Sequence, residues 1–563
     1  NAVNGLFVDV AAAETFSRLY HDWIQDSTRL AEIVYQKKLL ILQVSLASEL
    51  YMLSYQLDGL AQKSRKSRDF TLDTLRLVLR EVIACFPVYR SYIAEGAVHD
   101  SDRRHVETAV RRAMLRNPLV SRAVFHFLRR MLLLDYPESF SEEDRAEQRR
   151  FAGKFQQVTA PVTAKGIEDT AFYVYNRLVS LNEVGGDPGR FGVRPEALHA
   201  YNRGRQARWP YSLSPLSTHD TKRGEDVRAR INVLSEMPGE WRAALERWSR
   251  FNEPHRQPVN DLMAPDTNEE YLLYQTLLGA WPLEECTPEE YTAFVERIQD
   301  YLEKALHEAK VHTSWVNPDS DYDNAIRAFV GHILEEHTSA AFLRDFRTFQ
   351  RRVTHYGLFN SLAQTLLKMA SPGVPDTYQG TELWDFSLVD PDNRRPVDYE
   401  RRRQMLSALR AVEGQDRREL ARNLLVAKED GRIKLYLTAR GLHCCRDHSG
   451  LFSTGEYLPL GILGQKADHV FAFARRASET VAVVAVPRLL VRLIPDGEQA
   501  PLGKGVWQDT RLVLPGVDPK LRWHNIFTGE RLVPIEEQGQ LTLSMAEIFG
   551  HFPVALFLAE RAN

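Results

Sequence analysis

Cysteine is scarce: four residues in 563, too few for a disulfide framework. Cys85 and Cys286 stand alone, and the vicinal pair Cys444-Cys445 is poorly placed for a structural disulfide. Zinc spacing is absent, since His443-Cys444-Cys445 and His448 lack a second ligand pair and the other histidines are scattered. Long apolar runs are also missing. Leu39 to Leu42 is cut by Gln43, and Thr480 to Val486 by Pro487, both far short of a membrane span. Neither sign of charge is in excess: 72 Lys+Arg against 75 Asp+Glu leave −3, which argues against a nucleic-acid binder. No Gly-rich phosphate loop follows a strand, because Gly185-Gly186-Asp187-Pro188-Gly189 reads as a turn, so kinase and dehydrogenase chemistry is disfavoured. The start has no basic segment followed by a long apolar one, so no signal peptide is expected in it. These absences together predict a reducing, cytoplasmic setting, with no metal, no cofactor, no membrane and no nucleic acid as partners.

What is present is a long chain, sized for roughly three or four domains or one large domain with insertions. Residues 12–155 read as nearly all helix. Leu39, Leu46, Leu50 and Leu53 recur at helical spacing, as do Leu75, Leu79, Val82 and Ile83. Asp73, Arg76, Arg80 and Glu81 interleave with the second set as a solvated face would. Ser139 to Glu143 carries a hydroxyl and an acidic first turn, which predicts a helix start.

Three short segments then read as strands that release polar residues at their C-terminal ends. Val158 to Ala164 leads into Lys165-Gly166-Ile167-Glu168-Asp169-Thr170, with Pro161 counting against the strand. Tyr211 to Ser217 leads into Thr218-His219-Asp220-Thr221-Lys222-Arg223. Pro372 to Asp376 follows a helical run, Leu362 to Met369, and leads into Tyr378-Gln379-Gly380-Thr381-Glu382. This alternation is expected of a parallel barrel with its site at the strand C-termini. A helical block over about Pro238 to Leu343 intervenes, in which Trp241, Leu245, Trp248 and Phe251 share one face. From Gly431 onward the β-type runs Ile433 to Leu437, His469 to Arg475, Thr480 to Val486 and Gln540 to Leu543 predict an antiparallel domain.

Chemistry could sit at the strand ends. His219 beside Asp220 can present imidazole and carboxylate to one ligand, and carboxylates grip vicinal sugar hydroxyls through paired hydrogen bonds. The same dipeptide also fits a buried pair that merely fixes a loop. Glu168 and Asp169 invite an acid/base reading, but neighbours on an extended segment face opposite sides; a strand-end salt bridge is the alternative. Tyr378, Gln379, Glu382 and Trp384 combine aromatic faces with amide and carboxylate groups, as carbohydrate clefts do, and also fit a loop packed on a barrel rim. Three such clusters together favour carbohydrate.

At these clusters the sequence resembles the α-amylase superfamily of retaining glycoside hydrolases and transglycosylases. Leu216-Ser217-Thr218-His219-Asp220 looks like its motif after the seventh barrel strand, and Pro372 to Glu382 like that after the eighth. Within the superfamily it is most similar to the maltooligosyltrehalose synthase family. Lys165 to Tyr173, Leu181 to Pro188, Ser217 to Arg223, His312 to Trp315, Tyr378 to Trp384 and Val389 to Pro396 carry that likeness, which runs from about Asn4 to Phe557.

The resemblance implies an isomerase of trehalose biosynthesis, turning the reducing-end α-1,4 bond of a maltooligosaccharide into an α,α-1,1 bond. It assigns Asp220 and His219 to catalysis, and Lys165, Glu168, Asp169, Lys222, Arg223, Tyr378, Gln379 and Glu382 to substrate. Of the superfamily's three carboxylates only Asp220 has a counterpart here, and Asn4 to Asp9 resembles the stretch just past the acid/base Glu. The Asn1-Ala2 start fits either a cloning remnant or a sequence beginning inside a longer protein. On this reading the chain is the C-terminal part of the enzyme, inactive without an N-terminal barrel half expected in the same polypeptide.

The expected fold is α/β: the C-terminal part of a TIM (β/α)8 barrel with large all-helical insertions, plus an antiparallel β C-terminal domain. Barrel segments are expected at 1–30, 155–236 and 339–415, a helical domain at 31–154, a helical insertion at 237–338 and a β-sandwich at 416–563. An incomplete barrel should leave sheet edges that pair with a second copy, rearrange or stay partly uncovered. Another α-glucan hydrolase or transglycosylase and a non-catalytic glucan-binding protein are the competing readings.

Overall fold

The computed structural model describes residues 1–561 apart from Ala97, Gln415, Pro515, 517–520 and Gln538. The chain forms two compact units. One comprises Asp26–Tyr175 and Ala305–Pro318; the other comprises Asn1–Gln25, Asn176–Lys304 and Asp319–Asn563.

The smaller unit is helical. Helices Leu30–Val44, Ala47–Gln62, Leu72–Ala84, Asp100–Arg116, Arg122–Leu132 and Glu142–Thr163 surround a core that includes Leu53, Leu79, Val82, Phe125, Leu128 and Phe155. Ser141 caps the last of these helices in a reciprocal capping box with Asp144, which satisfies two otherwise orphaned backbone donors. Two expectations fail in this unit. Val158 to Ala164 is not a strand: the helix from Glu142 runs on to Thr163. Phe151, Phe155, Val158 and Val162 continue one buried stripe at helical spacing, and this period outweighs the β-branched composition. Beyond Pro161 the backbone widens, and the Asp169 N–H reaches back five residues to the Ala164 carbonyl. Glu81 is not on a solvated face. It lies buried beside Val82 and accepts hydrogen bonds from the Tyr35 hydroxyl (2.7 Å) and Asn117 Nδ2 (2.9 Å).

The larger unit is built around helix Ala340–Ala370, whose second half is wholly buried. It packs against the fully buried helix Glu225–Asn232, which also meets Thr267–Ala280. Gly357 permits the first crossing, since a Cβ there would lie 2.6 Å from Arg230 Cγ. On helix Pro238–Asn252, Trp241, Leu245 and Trp248 are buried as expected, whereas Phe251 is 40% exposed because it falls at the edge of that face, on which Asn252 is buried instead. Leu213–Ser214 and Val374–Pro375 pair in parallel, Leu213 opposite Val374. Among the described residues this is the one parallel pairing.

Further along, six- and four-stranded antiparallel sheets include Val470–Ala477, Thr480–Pro487 and Gln540–Ser544. Ile433 to Leu437, expected as a strand, instead opens helix Arg432–Asp447. Ile433, Tyr436, Leu437 and Cys444 are buried at helical spacing, and this period outweighs the β-type composition. All four cysteines are free. No described helix is long and apolar enough to cross a membrane.

One buried carboxyl makes stability depend on pH. Glu236 accepts the Val491 N–H at 2.9 Å through Oε2, while Oε1 has no partner. Burial pushes its carboxyl up to about 8. The folded chain thus keeps a proton that the unfolded chain loses near the ordinary carboxylate value. Stability from this group is complete below that value and is lost as pH rises through about 8. Glu236→Gln is therefore expected to raise the melting temperature more at pH 8.5 than at pH 5, read by thermal denaturation at both.

Candidate active site

The site in the larger unit grows from the end of strand Leu213–Ser214. There the Thr218 N–H donates to Thr221 Oγ1 (2.7 Å) and the Asp220 N–H to Thr218 Oγ1 (3.3 Å), folding 218–221 into a tight turn. His219 and Asp220 project from it into solvent, whereas Lys222 and Arg223 are 4% and 1% exposed.

A buried carboxylate fixes this turn from beneath. Glu183 accepts the backbone N–H groups of Val184 (2.8 Å), Lys222 (2.9 Å) and Arg223 (3.3 Å), with Arg228 Nε at 3.8 Å. Arg223 turns inward, donating to the Tyr301 hydroxyl (2.7 Å) and the Val179 carbonyl (3.3 Å). Its guanidinium is thereby committed to protein partners and fits a loop anchor. Gly224 lets the next residues lie against the neighbouring loop, since a Cβ there would be 3.0 Å from the Ser387 carbonyl.

That neighbouring loop holds the turn from the side. Asn393 Nδ2 donates to the His219 carbonyl at 3.2 Å, with Arg394 donating at 3.3 Å, while the Asn393 carbonyl accepts from the Tyr378 hydroxyl at 3.0 Å. Lys304 donates to Asp390 Oδ1 at 2.8 Å. Burial alone would raise the Asp390 carboxyl, but Lys304, with Arg394 and Lys222 nearby, holds it below its ordinary value. Gln379 is exposed, and Glu382 accepts from Arg402 Nε at 3.1 Å. A cavity of about 310 Å³ lies alongside, bordered by Glu183, Arg205, Ser214, Thr218, Arg228 and Lys368.

The structure thus joins His219, Asp220, Lys222, Arg223 and Tyr378 into one hydrogen-bonded assembly, with Glu382 further along the same loop. Lys165, Glu168 and Asp169 belong to the smaller unit. There Lys165 Nζ pairs with Asp169 Oδ2 at 2.6 Å, and the buried Glu168 accepts from the Tyr89 hydroxyl. Adjacent Glu168 and Asp169 do take different partners, though because successive side chains on a helical backbone point about 100° apart and not because the backbone is extended. Sequence reasoning passed over Glu183, Asp390 and Asn393 as site residues. All three lie in the strings Leu181 to Pro188 and Val389 to Pro396, the one signal that could have marked them.

No family model matches the chain. Solved structures place it first in a class. A maltooligosyltrehalose synthase from Arthrobacter ramosus superimposes with a TM-score of 0.79 at 30% identity, over 99% of this chain and 62% of that one. A glycosyltrehalose synthase, DSM5389, gives a TM-score of 0.70 at 26% identity over all of this chain and 60% of that one. The fold is therefore that of a part of these two synthase structures. Among curated proteins, a putative maltooligosyl trehalose synthase of Mycobacterium tuberculosis (strain H37Rv) is 38% identical over 411 residues. That match covers 73% of this chain and 46% of the relative, so it spans less than half the relative's length. The chain is a homologue of the maltooligosyl trehalose synthases and corresponds to a part of them.

Proposed function

We propose that the chain is the part of a maltooligosaccharide-converting intramolecular transglycosylase that stabilises the reacting sugar and retains the released glucose. The observation that carries this reading is the exposed His219-Asp220 pair, held at a strand end by the buried frame of Glu183, Arg223 and Asn393. A preorganised carboxylate of this kind stabilises an oxocarbenium-like transition state without reorganising.

In such a reaction a nucleophilic carboxylate displaces O4 of the terminal glucose from C1 of its neighbour, and an acid protonates O4. The glucose then attacks C1 through its own anomeric oxygen, the former acid takes that proton, and the nucleophile leaves. Water must stay out, or hydrolysis intervenes. The resemblance assigns nucleophile and acid to sequence outside this chain, so the reading includes an N-terminal portion that completes a (β/α)8 barrel around the Leu213–Ser214 and Val374–Pro375 strands. Asp220 bonds ring hydroxyls, His219 supports them, and Tyr378, Gln379 and Glu382 close the rim. In the larger unit Lys222 holds the freed glucose, with Arg223 anchoring the turn; in the smaller unit Lys165, Glu168 and Asp169 form a sugar-binding cluster of their own. A reducing cytoplasmic setting belongs to this reading and is supported by the four unpaired cysteines.

The test is product partition in a polypeptide containing this chain together with the length its relatives have in addition. Maltooligosaccharide should yield a non-reducing product whose 1,1 linkage is visible by NMR. Lys165→Ala should raise free glucose relative to that product. An unchanged ratio would remove Lys165 from sugar binding, and a reducing product would overturn the function.

A further inference from the structure

Behind the site lies a group of charges fully withdrawn from solvent. Lys434, on helix Arg432–Asp447, donates from Nζ to Glu225 Oε1 (3.0 Å), Asp226 Oδ1 (3.0 Å) and Asp226 Oδ2 (2.8 Å), and all three side chains are 0% exposed. The three donors of one ammonium face three carboxylate oxygens. The Trp384 ring lies 5.7 Å from the same nitrogen. Burial alone would depress the lysine, but Asp226 and Glu225 hold it above its ordinary value.

Each carboxylate residue is tied to a different loop. The Glu225 N–H donates to Ser217 Oγ at 3.0 Å, at the root of the turn bearing His219 and Asp220. Asp226 Oδ2 accepts the Asp385 N–H at 2.8 Å, three residues past Glu382. A second buried lysine, Lys368, faces Glu225 and donates to Thr377 Oγ1 at 3.1 Å, next to Tyr378. A buried ion pair is weak evidence for stability, because well-packed apolar residues often serve as well. What the charges supply in addition is direction: an ammonium with three donors fixes where two carboxylates point, which a methylene chain does not.

We propose that Lys434 is a positioning residue, one buried ammonium that registers the His219-Asp220 turn against the Tyr378–Glu382 loop through Glu225 and Asp226, and thereby sets the glucan-binding geometry. Its consequence for sugar rests on the proposed function; the registration itself does not.

The test is hydrogen–deuterium exchange by mass spectrometry on the chain and on Lys434→Met. Peptides spanning 214–223 and 376–388 are expected to exchange about tenfold faster in the variant, while those of the 470–487 hairpin keep their rates. Should Lys434→Met fail to fold, Glu225→Gln/Asp226→Asn/Lys434→Met removes the uncompensated charges and is read in the same way. Unchanged rates in the two loops, or acceleration spread evenly across the unit, would overturn the proposal. Calorimetry with maltopentaose separates the two readings. Binding by the unaltered chain that weakens about tenfold with the loosened loops supports both. Loosened loops with undiminished binding overturn the link to sugar. Loosened loops with no binding by the unaltered chain leave the registration standing and count against the function.

Discussion

Replacing Asp220 by Asn is expected to lower the rate of maltooligosaccharide conversion by about 10²–10³-fold while leaving the melting temperature unchanged. Asp220 is exposed at the tip of its turn, and the hydrogen bond that shapes the turn there comes from its backbone N–H. Asn keeps the size and one acceptor but removes the charge, so the loss should fall on kcat rather than on substrate binding. Steady-state kinetics with a maltooligosaccharide, on the polypeptide that also contains the additional length of its relatives, reads this out. A kcat within a factor of about three of the unaltered enzyme would take Asp220 out of catalysis, because one preorganised charge is worth far more than that.

Glu183→Ala should instead strike the frame, costing about 3–5 kcal/mol of stability. The substitution strips the acceptor from the N–H groups of Lys222 and Arg223 and leaves Arg228, 2% exposed, without its nearest carboxylate. Each orphaned buried donor costs its full desolvation penalty. Glu183→Gln retains an acceptor oxygen and should lose less. Urea denaturation of both variants reads the difference, and the unfolding midpoint should fall much further for Ala. Equal midpoints for the two variants would show that shape, not hydrogen bonding, is what Glu183 provides.

The parts of the molecule legible beforehand were those governed by local rules. Ser141 caps its helix because hydroxyl and acidic first-turn signals act within a few residues. The strands at 470–487 form where β-branched and aromatic residues are dense and flanked by turns. The turn at 218–221 was marked by its polar string, and the pairing of Leu213 with Val374 brought together two segments read separately as strands. The errors fell where composition and period disagreed. Residues 158–164 and 433–437 are short, apolar and rich in β-formers, and both coil because neighbours far along the chain bury them as helices.

The sequence by itself determined the chemical inventory and its local frames: which turn carries His219 and Asp220, where helices begin, and that disulfides and membrane-spanning helices are not how this chain is held. Only the tertiary structure decided which charges face outward and which serve as scaffold. Lys222, Arg223, Asp220 and His219 are neighbours in one string, yet two are buried and two are exposed. The physical reason is that burying a charge depends on a partner, and the partners here are remote. Tyr301, which takes the Arg223 guanidinium, lies 78 residues from it, and Glu183, which fixes the backbone of Lys222, lies 39 residues away. Lys434 lies 208 residues from Asp226, on a segment whose composition reads as strand. No local pattern encodes such pairs; they exist once the chain has closed around them.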